Sequence, residues 1–337
     1  MTIKSFAIQA HGFDGLKAVQ RAVPEPGERE VLLRVRAMGL NYRDVEIVLG
    51  TYHTDFPLPL VPLSDCVGEV IATGPGITRV RQGDRVVVAF WERWNDGAFS
   101  LADAGAPLGG PKDGVLTEQF VALEDRLVVV PDALSDLEAA SLPCAASTAW
   151  HALVTAGRLK AGETVLVQGT GGVSLFAMQF ALMAGARVIA TSSSDAKLER
   201  VKALGASGTV NYKRHPEWAA EVLRLTGGRG VDHVLEVGGP GSFGQALKAI
   251  RPGGQVNVIG YLGGANGATN PLEIFRRQAT VRGIPVGSRW MLQELIAAYA
   301  ASSLRPLIDR AFDWTDAANA LRHLHSGDHF GKVVLSA

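Results

Sequence analysis

The segment VQGTGGVSLF, residues 167–176, carries the most legible chemistry in this chain. Gly169, Gly171 and Gly172 let a backbone bend sharply and approach an anion, and Val173 opens the apolar run that follows. On a strand-to-helix turn, such glycines set free N–H groups and the helix dipole against a pyrophosphate. Ser174 stands where the usual pattern has a third glycine, and its small side chain still permits close helix packing. A glycine-rich turn with no ligand is the competing reading of these residues alone. A second group lies about 20 residues further on, where a site selective for NAD ends its second strand with a carboxylate. Here that position is Ser192, followed by Ser193 and then by Lys197 one turn into the next helix. Tyr212 closes a third strand-like run beside it. Hydroxyls and an ammonium suit a 2′-phosphate, so these residues predict NADPH (NADP) in preference to NADH. A solvated helix lysine is the other reading of Lys197.

The elements that must position these groups follow from periodicity. Thr164–Gln168 is a short apolar run of buried-strand type, and 173–184 is long and apolar enough for a helix packed on a sheet. Residues 187–191 supply a second strand, and the next helix places Leu198, Val201 and Leu204 on one face. GTVNY, a helix opened by Pro216, VDHVLEVGG, a helix over 242–250 and QVNVIG continue the alternation. Strands alternating with helices predict a doubly wound parallel sheet, an α/β fold of Rossmann type. Gly238 and Gly239 after the fourth strand, and Gly260 after the fifth, are expected to let the backbone approach the dinucleotide.

Length and composition bound the remainder. A chain of 337 residues, 47% hydrophobic and with 39 glycines, suits about two well-packed domains. Lys plus Arg and Asp plus Glu both number 33, which gives no argument for a nucleic-acid or membrane partner. The N-terminus lacks a signal-peptide pattern and no run is long enough to span a bilayer, so a cytoplasmic location is expected. Two cysteines, Cys66 and Cys144, fit a reducing compartment.

The N-terminal third has a different grammar. EVLLRVRAMG, CVGEVIATG and DRVVVAF are strand-like runs separated by PEPGE, GPGIT and RQGD, the turn chemistry of an antiparallel β domain. The closing GKVVLSA reads as a strand returning to that domain. The order GLNYRD, PLSDCVGEV, GDRVV, LPCAASTAWHAL, VLVQGTGGVS and HFGKVVL resembles the medium-chain dehydrogenase/reductase superfamily, in its quinone-oxidoreductase-like and zinc-less alcohol-dehydrogenase-like branches. The resemblance implies a GroES-like β domain plus a Rossmann domain, with the cofactor in the cleft. The expected boundaries are 1–130 with 288–337 for the GroES-like part and 131–287 for the Rossmann part.

The resemblance also frames the metal question. Catalytic zinc needs three protein ligands and an open position. Where zinc-dependent relatives have a cysteine this chain has Asn41, and where they have Gly-His-Glu it has Leu63-Ser64-Asp65. Cys144 matches the third ligand position by itself, and a small buried hydrophobe is its plainer reading. The expectation is no catalytic metal. At positions that line the nicotinamide and substrate cleft in similar quinone reductases stand Asn41, Asp44 and Tyr52. Asn41 and Tyr52 could donate hydrogen bonds to a substrate oxygen, and Asp44 could orient its neighbours. As plain structure they would be a turn residue, a helix cap and a packing residue. The resemblance places Thr148 near the nicotinamide, while Trp150 and His151 read as packing and structural residues. Residues 91–114 read as a surface loop whose Trp91 and Trp94 either border the substrate entrance or pack toward solvent.

Three function classes follow. One is an NADPH-dependent reductase of quinones, enones or similar activated carbonyls, another a zinc-type alcohol dehydrogenase, and the third a non-enzymatic NADPH-binding protein like some lens crystallins. The run ATVRGIPVG, residues 279–287, is expected to be the last strand of the parallel sheet. An uncovered edge strand invites pairing, and the resemblance implies a homodimer formed there.

Overall fold

Alternating apolar positions in the first third and continuous ones in the middle fold into two kinds of sheet. The computed structural model describes residues 1–268 and 270–337. The chain forms two units, Met1–Ser147 with Gly287–Ala337, and Thr148–Val286. In the first, β1 (Thr2–Ile8) and β2 (Leu16–Ala22) make an antiparallel hairpin. The long strand β3 (Glu30–Gly39) pairs antiparallel with β4 (Asp65–Thr73), and β4 in turn with β5 (Arg85–Val88). Two short strands, β6 (Gln119–Leu123) and β7 (Leu127–Val129), add to β3 and β5. Val31, Leu33 and Val35 on one face of β3 enter a core with Val70, Val86 and Leu127.

The second unit is the predicted doubly wound sheet. Its strands are β8 (Thr164–Gln168), β9 (Arg187–Ser192), β10 (Gly208–Asn211), β11 (Val231–Glu236), β12 (Ile250–Val258) and β13 (Thr280–Gly283). They lie in the order β10-β9-β8-β11-β12-β13, every pairing parallel. β8 and β11 are buried along their whole length, as strands covered by helices on both faces must be. The helix Asp195–Ala203 buries Leu198 and Val201, but Leu204 falls past its end and is 39% exposed, not on the inward face the periodicity predicts. The helix after β11 runs Pro240–Ala249, starting ahead of the expected 242 because Gly239, at φ 84°, turns the chain directly into Pro240.

After β13 the helix Arg289–Ala300 belongs to the first unit again. β14 (Ile308–Asp313) and β15 (Lys332–Ser336) then complete its sheet, with β15 antiparallel to β3. Residues 131–147, which the sequence reading assigned to the Rossmann domain, pack with the β unit. The Ala140 carbonyl lies so near Gly39 that any Cβ there would clash, and the Cys144 N–H donates to Asp65. No helix among the described residues is long and apolar enough to cross a membrane.

Candidate active site

Each unit gathers one group of functional residues. In the β unit, three strand ends meet. Gly39 closes β3 opposite Asp65, the first residue of β4, and also opposite Val334 of β15. The backbone just past β3, Leu40–Asn41, therefore lies beside the start of β15, where Lys332 stands. Lys332 is 3% exposed, and its Nζ donates to the Leu40 carbonyl and, at 2.7 Å, to Asn41 Oδ1. An ammonium has donors only, so the Asn41 oxygen faces it and the Nδ2 amino group faces away. Nδ2 stands 3.5 Å from Ser64 Oγ, Ser64 donates to Asp65 Oδ1 at 2.7 Å, and Asp65 Oδ2 accepts the Cys144 N–H at 2.9 Å. Asn41, Ser64, Asp65 and Lys332 are all buried.

Asn41 also precedes the helix Tyr42–Leu49, and its own N–H is bonded by Asp44 Oδ2 at 2.8 Å. The plain readings thus hold in part: Asp44 caps, but the Asn41 side chain is given to Lys332. Asp44 is fully buried, and that burial pushes its carboxyl up to about 6 against the lowering effect of Arg43, the Asn41 N–H and Lys332. Arg43, which sequence reasoning passed over, links the remaining piece. Its guanidinium lies 3.5 Å from Asp44 Oδ1, donates to the carbonyls of Leu108 and Gly110, and sits over the rings of Tyr52 and Phe90. Tyr52 is half-buried, its ring against His53 and Phe56. The structure thus brings Asp44 and Tyr52 to one arginine. Burial raises the pKa of Glu46 on the same helix. Residues 91–114 form no helix or strand, as a loop should, and Leu101 is 73% exposed, but Trp94 is buried, with its indole N–H on the Gly97 carbonyl and its ring against Phe99. Trp94 is therefore not packed toward solvent.

The residues at the zinc positions do not make a ligand set. Carboxamide and hydroxyl stand where thiolate and imidazole are needed, which leaves Cys144 as the one residue of ligand type among the three positions. Among the described residues no three His, Cys, Asp or Glu side chains stand close enough to hold a metal ion.

In the parallel-sheet unit the glycine turn joins β8 to the helix Gly172–Met183. Gly169 takes φ 75°, a left-handed conformation that favours glycine, and a Cβ built on it would meet nothing within 4 Å. Gly171 precedes the helix Gly172–Met183 with no side chain capping it, which leaves the first-turn N–H groups, Val173 included, for an anion. Ser174 ties that turn back to the Gln168 carbonyl at 2.6 Å. Four residues at the second strand end also converge. The Tyr212 N–H donates to the Ser192 carbonyl at 3.1 Å, and the cap Ser194 accepts the Lys197 N–H. Ser192 is buried, its Oγ accepting the Ser194 N–H, whereas Ser193 and Lys197 are partly exposed and Tyr212 is 41% exposed. Next to them Asp195 is held by Arg214 and by Asn211 Nδ2 at 2.8 Å.

Sequence reasoning missed the group that shapes the third loop. Glu236, fully buried at the end of β11, accepts from Gln168 Nε2 at 2.6 Å, from the Ser242 hydroxyl and from the N–H groups of Gly238 and Gly239. Gly238 is glycine for a packing reason, since a Cβ would lie 2.4 Å from Ser242 Oγ. Gly260 hydrogen-bonds back to the Glu236 carbonyl. Thr148 is buried, and His151 has Nδ1 2.8 Å from the Val286 carbonyl at the start of a π-helical stretch, His151–Thr155, where burial lowers its pKa. Only the signal of a polar residue in an otherwise apolar strand, as in Gln168 and Glu236, could have exposed this network beforehand.

Known proteins share this architecture. A family model described as the alcohol dehydrogenase GroES-like domain matches residues 27–132, and one described as zinc-binding dehydrogenase matches 172–301. The chain is 41% identical over 334 residues to a zinc-type alcohol dehydrogenase-like protein of Schizosaccharomyces pombe, covering 96% of each. A solved NAD-dependent alcohol dehydrogenase superposes with a TM-score of 0.91 at 36% identity, covering 99% of both chains. A mycobacterial protein solved with NADPH superposes with a TM-score of 0.83 at 28% identity, over 99% of this chain and 100% of that one. With a GroES-like β unit, a Rossmann sheet and both domain matches in this order, the chain belongs to the medium-chain dehydrogenase/reductase superfamily and is an NAD(P)-dependent oxidoreductase.

Proposed function

We propose that the protein is a zinc-independent, NADPH-dependent reductase that transfers hydride to a quinone, enone or other activated carbonyl compound. The observation that carries this reading is the buried hydrogen-bonded run Lys332–Asn41–Ser64–Asp65, in which Asn41 and Ser64 stand where zinc-dependent relatives carry two of their ligands. Bound NADPH supplies the hydride. Asn41 offers its Nδ2–H to the acceptor oxygen, which takes up the electron pair displaced as hydride adds at carbon. Without a Lewis acid worth several kcal/mol, the acceptor itself must spread that charge. Enones and quinones do so as enolate and phenolate, and simple alcohols and unactivated ketones react poorly. The Tyr52 hydroxyl or solvent then returns a proton to the product. Asp44 holds the Asn41 backbone in place. Thr148 hydrogen-bonds the nicotinamide, and Gly169, Gly171, Gly172 and Val173 cradle the pyrophosphate. Ser193, Lys197 and Tyr212 favour the 2′-phosphate of NADPH, because no carboxylate ends β9 to repel it.

NADPH consumption with a quinone, an enone, a simple ketone and an aldehyde, with and without a strong chelator, tests the reading. Turnover of the first two, indifferent to chelation, is expected. Activity lost on chelation and restored by zinc would favour a zinc-type alcohol dehydrogenase, and no turnover with any acceptor a non-enzymatic NADPH-binding role. We also propose a homodimer. β13 is the edge of its sheet, Val281 on it is exposed, and Phe275 on the preceding helix is 78% exposed. Such an edge favours pairing with a second copy. Light scattering at micromolar concentration should give twice the chain mass, and a monomer mass would remove the proposal. A reducing, cytoplasmic setting suits Cys66 and Cys144, and cell fractionation tests it.

A further inference from the structure

We infer that Lys332 is a positioning residue that makes Asn41 an oxyanion donor, a protein-borne positive charge relayed through a carboxamide to a phenolate or enolate oxygen. The inference rests on the reading of Asn41 as the donor that faces the acceptor.

The geometry is specific. Lys332 is buried and its Nζ touches two neutral oxygens, the Leu40 carbonyl and Asn41 Oδ1. Among the described residues no carboxylate oxygen lies within ion-pair distance of it. The carboxylates nearby point their oxygens elsewhere: Asp65 toward Ser64 and the Cys144 N–H, Asp44 toward the Asn41 N–H and Arg43. The charge is therefore not quenched by direct pairing, and it acts on the Asn41 oxygen. Withdrawing electron density there makes the Nδ2–H bonds better donors, as in any chain of hydrogen bonds inside a low-dielectric site. Of the two Nδ2 hydrogens, one reaches Ser64 Oγ only at 3.5 Å, and the other has no acceptor among the described residues. A buried amide with a vacant, polarised donor is the arrangement that stabilises an oxygen gaining negative charge. The ammonium contacts the Leu40 carbonyl and the Oδ1 side of the amide, opposite Nδ2, so its contribution passes through the carboxamide.

The test uses the protein with NADP+ bound and 4-nitrophenol as a chromophoric stand-in for the product oxyanion. In the wild-type protein the bound phenol should ionise at lower pH than in water, read from its visible absorbance. Lys332→Met, similar in length but without charge, should abolish that shift and lower kcat for a quinone by about 10- to 100-fold with KM for NADPH unchanged. Lys332→Arg should recover part of both. If Lys332→Met fails to fold by circular dichroism, Asn41→Ala keeps the lysine and severs the relay, and it should lose the shift as well. Absence of the shift in the wild-type protein, or its persistence in folded Lys332→Met or in Asn41→Ala, overturns the inference. The phenol measurement needs no turnover, so failure of every quinone and enone to be reduced would remove the proposed function while the relay is judged separately.

Discussion

The polar cluster of the β unit and the glycine turn of the parallel-sheet unit solve different problems with different materials. The turn Gln168–Val173 is one contiguous stretch whose chemistry is backbone N–H, so its residues need only permit a conformation. The cluster joins Asn41, Ser64, Asp65, Cys144 and Lys332, partners as far as 291 positions apart, and its chemistry is side-chain charge and hydrogen bonding. In the first, Ser174 in place of glycine ties the turn back to the Gln168 carbonyl. The second has no redundancy, because each buried group is the partner of the next and an orphaned one costs about 1–3 kcal/mol.

Replacing Asn41 by Ala should have the largest effect, a fall in kcat for quinone of about 10²- to 10³-fold with dinucleotide affinity unchanged, measured by steady-state kinetics and fluorescence titration. Equal loss in both would mean that the two groups are not separable. Next comes pH. The buried Asp44 carboxyl titrates near 6 in the folded protein, above its ordinary value of 3.8, so the folded state holds its proton more tightly than the unfolded one. Its contribution to stability is full below about pH 4 and is lost as pH rises through 6, a difference of about 3 kcal/mol. Asp44→Asn keeps an oxygen for the Asn41 N–H and should remove that part of the slope in urea unfolding between pH 4 and 7, and an unchanged slope would refute the assignment. Lys197→Ala should raise KM for NADPH about 10-fold and leave that for NADH nearly unchanged, which separates phosphate recognition from general binding. Smallest is Arg214→Ala. Its ion pair with Asp195 is exposed, so stability should hardly move, but releasing the acid beside Lys197 should raise KM for NADPH about two- to threefold.

How far these regions could be read in advance differs for the same reason. The turn, its strand and its helix were visible because glycine freedom and apolar periodicity are local properties, and the serine-for-carboxylate exchange at Ser192 is a single position. The neighbourhood of the second and third strands, β9 and β10, could be read as well. Leu204 was misplaced because a helix end is set by capping and not by periodicity, and a solvent-facing Trp94 failed because an irregular segment has no pattern that reports burial.

The sequence by itself determined the two classes of sheet and the glycine turn between β8 and the helix Gly172–Met183. Only the tertiary structure decided that Lys332 stands behind Asn41, that Arg43 joins Asp44 to Tyr52, and that Glu236 with Gln168 fixes the loop at Gly238. The physical reason is range. A φ preference or an apolar period acts over a few residues and is written where it acts, whereas a buried charge is satisfied by whatever the sheet register brings within about 3 Å, and register is set by packing the whole strand.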